Sequence, residues 1–407
     1  MANEFGKRPR EAVQELEAMQ QQERIGAGEP VLSTEDFARL LRDDIRRELV
    51  TAQLKEGGVE AAIEAAENVE AAVENKFKAR MDAWHVDDES QWSRYEALGV
   101  RWGIANICTR IESAFARHTW SIEALPVVGT LTTGQVTART QRSSAGVPMI
   151  LIDNGFFKFS GMMSQLAVFA RYDATVRGGF TEATLKLAAD LAATQTVLNT
   201  CLYAYPRSTP PEFRTTVENL QDAISVFVLS HEYAHLLAGD LDAHPAMPPK
   251  QDMTLQAREF EADKIGFAIV LECARDAEAG VFGPFLFFAG LDLLARAGGA
   301  YQGQTAGTES SSVDEYPTPF ERTRNLLGWI ETMSYEPRFV GHVRAASACY
   351  NIILNVWDQI LAPFGAAREQ LSQFDPALHP GPYHPDAAAF GVVTVLWQHI
   401  VAHLGQA

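Results

Sequence analysis

Ser230-His231-Glu232-Tyr233-Ala234-His235-Leu236-Leu237-Ala238-Gly239-Asp240 reads H-E-x-x-H followed by x-x-x-G-D. On a helix, His231 and His235 stand one turn apart on the same face, where they can share one metal ion. Glu232 then sits beside that face and can hold a water without being a ligand. The residues before the motif support a helix, because Val217, Leu220, Ile224, Phe227 and Val228 recur at helical spacing. Gly239 follows where such a helix ends, the usual place for a left-handed residue. Two histidines one turn apart are also found as plain surface or core residues, so the pair needs a further donor to mean metal.

A catalytic zinc site takes three protein ligands and keeps one position open. Downstream lies Ala257-Arg258-Glu259-Phe260-Glu261-Ala262-Asp263-Lys264-Ile265-Gly266-Phe267, which again reads as helix. Glu259 and Asp263 are four apart and share a face. A metal-ligating His needs its second ring nitrogen held, commonly by a carboxylate. One of the two carboxylates can therefore bind the metal while the other orients a His. The bland alternative is that Glu259, Glu261 and Asp263 form a solvated acidic face.

H-E-x-x-H-x-x-x-G-D followed by R-E-F-x-A-D resembles the gluzincin metallopeptidases, and within them the family of CAAX prenyl endopeptidases and heat-shock membrane proteases. The resemblance implies one Zn2+ per chain, held by His231, His235 and Glu259. It implies Glu232 as catalytic base and Asp263 as the carboxylate behind a histidine, with Glu261 on the family's variable position. A third family element, H-P-x-x-x-x-R, is partly matched by Tyr316-Pro317-Thr318-Pro319-Phe320-Glu321-Arg322, where Tyr316 replaces the His. By that register Tyr316 and Arg322 are candidate oxyanion donors. The resemblance covers roughly residues 126–335. Familiar members carry transmembrane helices and this chain is not expected to, so it resembles a soluble, divergent relative.

The chain has 407 residues, a formal net charge of -18 and 47% hydrophobic residues. The length suits one large domain or two, and the apolar content can furnish a substantial core. The acidic balance argues against nucleic acid and against anionic membrane surfaces as partners. Cys108, Cys201, Cys273 and Cys349 are widely spaced and form no C-x-x-C, so neither a disulfide framework nor a zinc ribbon is signalled. With no apolar leader in residues 1–28, a cytoplasmic location is the expectation.

Residues 1–30 read as a flexible, Gln- and Glu-rich start. Residues 31–124 read as a helical N-terminal region that begins at a Ser33/Asp36 capping box. Its stripes, among them Ile45, Leu49, Val69, Val73 and Phe77, suit core packing, with binding of a regulatory partner as the alternative. Residues 125–335 read as a zincin-like catalytic domain, and 336–407 as C-terminal helices packing on it. Strands are expected at Val127–Thr133, Gln135–Ala138 and Pro148–Asp153. Val147–Asp153 is the candidate edge for a substrate backbone, with a plain core strand as the alternative. Helices are expected at 161–175, 181–204, 212–238, 319–333, 338–373 and 386–404. Val281–Ala295 reads as a buried helix, too short to span a bilayer. Gly298–Glu315 reads as a mobile loop that can act as a lid, with Tyr316 as a neutral donor at its end, or, as the alternative, as a solvated loop with Tyr316 packed against its neighbours.

His244 follows the motif without the Gly and His spacing of the metzincin pattern, and no nucleophile motif or phosphate-binding loop is present. The expected fold is α+β and mostly helical, with a small sheet and an H-E-x-x-H helix. The expected function is zinc-dependent hydrolysis of peptide bonds in a protein or peptide substrate. Two alternatives use the same residues: a zincin-fold binding protein without turnover, and a zinc hydrolase of a non-peptide amide or ester.

Overall fold

In a computed structural model the protein is mostly helical with one three-stranded sheet. The structure describes residues 9–26, 68–83, 98–118, 120–122, 124–202, 204, 207–239, 254–303, 316–333, 337–375 and 385–404, with Ser93 and scattered positions between 39 and 64. The Ser33/Asp36 start, Asp240, His244 and most of the expected lid lie outside these residues.

The elements in chain order are α1 (Arg10–Gly26), α2 (Glu70–Ala83), α3 (Leu98–His118), β1 (Val127–Leu131), β2 (Ala138–Arg142) and β3 (Pro148–Asp153). They are followed by α4 (Asn154–Tyr172), a π turn (Asp173–Arg177), α5 (Glu182–Leu198), α6 (Pro211–Ala238), α7 (Leu255–Cys273) and α8 (Ala277–Gln302). The chain closes with α9 (Pro319–Thr332), α10 (Pro337–Leu371), a 3-10 turn and α11 (Pro385–Leu404). It divides into two compact units, one comprising Met1–Asn106, Ala124–Leu131 and Arg142–Met149, the other Ile107–Glu123, Thr132–Gln141 and Ile150–Ala407. The expected break near 124/125 is therefore replaced by an interleaved division. The helices after 336 belong to the same unit as the H-E-x-x-H helix.

In the first unit the expected flexible start is corrected. Arg10–Gly26 is a helix whose Ala12, Val13, Leu16 and Gln20 are buried at spacings of one helical face. Gln20 donates from Nε2 to the Thr130 carbonyl of β1 at 2.6 Å. Ile45, Val69 and Val73 form a core cluster with Leu49 and Phe77 against it, as their stripes suggested.

The strands run in the order β1-β3-β2, so β3 is central and β2 terminal. This corrects the expected edge in favour of the core-strand alternative: Pro148–Asp153 is paired on both sides, and its residues are also buried at every position. The second strand also begins later than expected, at Ala138 rather than Gln135.

The second unit is built around α6. Every residue from Ala223 to Ala234 is buried, so this stretch packs on all sides rather than along one stripe. It packs on α7, α8 and α4. From α3, Arg110 binds the Asp222 carboxylate with two nitrogens at 2.6 and 2.9 Å, and Glu112 accepts from the Tyr233 hydroxyl at 2.7 Å. Helix α8 is longer than expected, 26 residues running on through Pro284. By length and composition it is long and apolar enough to cross a membrane, yet 72% of its most apolar stretch is buried in the protein. Gly298–Gln302, expected in the loop, forms its last turns.

Candidate metal centre

Helix α6 ends as the sequence requires. Gly239 takes a φ of 72°, and its N–H turns back to the carbonyls of His235 and Leu236. The last turns before this cap carry His231 and His235 on one face. Helix α7 starts at Thr254, whose hydroxyl accepts from the Ala257 N–H, and so presents Glu259 and Asp263 one turn apart. The two helices meet closely: a Cβ on Gly266 would lie 3.0 Å from the His231 nitrogen and 3.1 Å from its Cα. Only glycine allows that approach without displacing α6.

Three donors then converge. His231 Nε2 lies 3.2 Å from His235 Nε2 and 3.4 Å from Glu259 Oε2, while Glu259 Oε1 lies 3.5 Å from His235 Nε2. A tetrahedral ion with bonds of about 2.0–2.1 Å sets its donors about 3.3–3.4 Å apart. The His231–His235 separation is close to that edge length, and Glu259 meets the two rings with different oxygens. One donor atom from each of His231, His235 and Glu259 lies within 4.8 Å of the others, so the group can hold a metal ion. Among the described residues it is the one cluster of this kind.

A second layer fixes the first. Asp263 Oδ1 is 3.0 Å from His231 Nδ1, which places the ring proton there and leaves Nε2 for a metal. Arg322 of α9 grips the same carboxylate, Nε to Oδ2 at 2.8 Å and Nη2 to Oδ1 at 2.5 Å, and its Nη1 lies 3.5 Å from Glu259. Its guanidinium stacks over Phe288 at 4.9 Å. Burial pushes both carboxyls up, but Arg322 and His231 overcome it and hold Asp263 and Glu259 below the usual range. Burial and Arg322 push His231 down, and the two carboxylates outweigh them, raising it to about 9.

The structure brings together His231, Glu232, His235, Glu259, Asp263 and Arg322. The Arg322 guanidinium is engaged by the Asp263 and Glu259 carboxylates, with Nη2 3.3 and 3.5 Å from the two ring nitrogens of His231. Tyr316 is 67% exposed, outside this buried group. The Glu261 side chain is 48% exposed and pairs with Lys264 at 3.7 Å, so the acidic-face alternative holds for that residue alone. Three contributors were missed from sequence: Thr140, Phe288 and Gly266. A glycine inside a helical pattern is a signal of close approach, so Gly266 was findable. Thr140, whose hydroxyl lies 2.6 Å from Glu232 Oε2 across 92 residues of sequence, carried no such signal. Comparison with known protein families, curated proteins and solved structures finds no match for this chain.

Proposed function

We propose that this chain is a zinc-dependent metalloendopeptidase, a soluble and divergent relative of the gluzincins that its motifs resemble. The observation that carries the proposal is the convergence of one donor atom each from His231, His235 and Glu259 to within 4.8 Å, with Glu232 one residue from the first of them. Two imidazoles and one carboxylate suit zinc and leave a fourth position for substrate or water. When bound, zinc supplies Lewis acidity, polarising a carbonyl and making water a nucleophile near neutral pH.

The remaining work falls to the chain's own groups. Glu232 takes the proton from the attacking water and returns it to the leaving amine. Asp263 and Arg322 hold His231 in one tautomer and orientation. His235 is the more exposed of the two histidines, with 16% of its side chain exposed against 9% for His231. Thr140 of the terminal strand β2 touches Glu232.

Metal analysis of purified protein beside its Glu232→Gln variant, with a mixed fluorogenic peptide library, tests this. Equal zinc in both, with cleavage about 100–10,000-fold lower in the variant, is expected for loss of a general base. Zinc without cleavage by the wild type points to the binding-protein alternative, and absence of any bound metal overturns the proposal.

A further inference from the structure

We propose that Thr140 is the positioning residue for Glu232, holding its carboxyl group in place in both protonation states. This rests on the metallopeptidase reading for its catalytic consequence, though not for its geometry. The Thr140 Oγ1 lies 2.6 Å from Glu232 Oε2 and 3.2 Å from the Glu232 main-chain oxygen. A hydroxyl has one proton to give and two lone pairs to receive. Facing an ionised Glu232, it donates to Oε2, a short charge-assisted bond. When Glu232 carries a proton on Oε2, that O–H donates to Thr140, whose own proton turns to the main-chain carbonyl. A carbonyl oxygen accepts two bonds, so its place in the α6 ladder is kept. If the proton lands on Oε1, the hydroxyl simply remains on Oε2. The Thr140 proton never leaves its oxygen, and the water's proton alone travels from water to Glu232 to the amine.

The surroundings make this more than a chance contact. Glu232 is 5% exposed, so few waters can substitute for the hydroxyl. Threonine is stiff about its first side-chain bond, and β2 fixes the backbone that carries it. Helix and terminal strand are thereby tied at the base itself. A general base gains from being held, because a displacement of about 1 Å can lower turnover about 100-fold.

The test compares zinc-loaded Thr140→Val, which keeps the shape without the hydroxyl, with Thr140→Ser, which keeps the hydroxyl. In crystal structures the Glu232 carboxylate should spread over several rotamers in the Val variant and keep a single position in the Ser variant. On any peptide the wild type cleaves, kcat should fall about 10–100-fold in Thr140→Val at unchanged KM and zinc content. Thr140→Ser should restore most of it. A single, unmoved Glu232 rotamer in the Val variant, or equal kcat in the two variants, overturns the proposal. If the wild type cleaves nothing, the rotamers still decide the role of Thr140, and it is the metallopeptidase reading that fails.

Discussion

Arg322 and Asp263 meet through two parallel N–H···O bonds, 59 residues apart in sequence, with the carboxylate only 1% exposed. That pair stands directly behind His231. Whatever weakens it reaches the metal donors through the ring that Asp263 orients.

Removing the cation is therefore expected to be costly twice over. Arg322→Gln should destabilise the protein by about 3–5 kcal/mol, because it strands a buried charge. It should also weaken metal binding about 10–100-fold through His231. Arg322→Lys should fall between, since an ammonium cannot make both parallel bonds. Urea unfolding and chelator competition measure the two effects, and a loss under about 1 kcal/mol would mean that the pair is not carrying the site.

For the donors themselves, His231→Ala, His235→Ala and Glu259→Ala should each lose most bound metal, since two ligands make a poor site. Glu261→Ala should keep it, its side chain being 48% exposed and directed to Lys264. Elemental analysis after dialysis reads this directly. Full occupancy in either His variant would refute the assignment.

Gly266→Ala should disturb the same centre without touching a donor. The added methyl would meet the His231 backbone at 3.0–3.1 Å, and a helix backbone yields less readily than a side chain. Overpacking of this sort costs about 1–3 kcal/mol. Because relief requires α7 to move away from α6, Glu259 should separate from the histidines and metal affinity should drop. A variant with lowered melting temperature but wild-type affinity would show that the helices part elsewhere.

Asp190 gives a pH signature unrelated to the metal. Its carboxylate pairs with Arg207 at 3.1 Å while Oδ1 has no hydrogen-bond partner among the described residues. Burial raises the carboxyl to about 7, against the lowering influence of Arg207 and Lys186. The folded state therefore holds this proton more tightly than the unfolded chain, whose value lies near 3.9. The resulting stabilisation is present below about pH 4 and is lost as pH rises to about 7, on the order of a few kcal/mol. Asp190→Asn should remove that decline. Unfolding free energies at pH 5 and 8 for both proteins check it, and identical slopes would place the Asp190 carboxyl in its ordinary range.

The sequence by itself put the candidate donors on shared helix faces, because each pair lies within one helix, and left open which of Glu259 and Asp263 would bind a metal. His231/His235 and Glu259/Asp263 are four apart, and a period of 3.6 residues puts such pairs on one face whatever surrounds them. The end of α6 at Gly239 was legible for the same local reason, as were the stripes through Ile45, Val69 and Val73. Arg10–Gly26 was overlooked because its buried face is small, Ala12, Val13, Leu16 and Gln20, among many polar neighbours.

Only the tertiary structure decided which strand lies outermost, what Arg322 holds and what touches Glu232. An apolar strand such as Pro148–Asp153 looks the same whether it is central or terminal, since burial of its faces does not reveal how many edges are paired. An arginine pattern gives the residue but not its partner, and Asp263 is reached only when α9 packs beside α7. Thr140 is an unremarkable strand residue until β2 meets α6, and its chemistry exists only in that contact. Local periodicity fixes what one helix presents; the distances between elements are set by long-range burial, which no short stretch of sequence encodes.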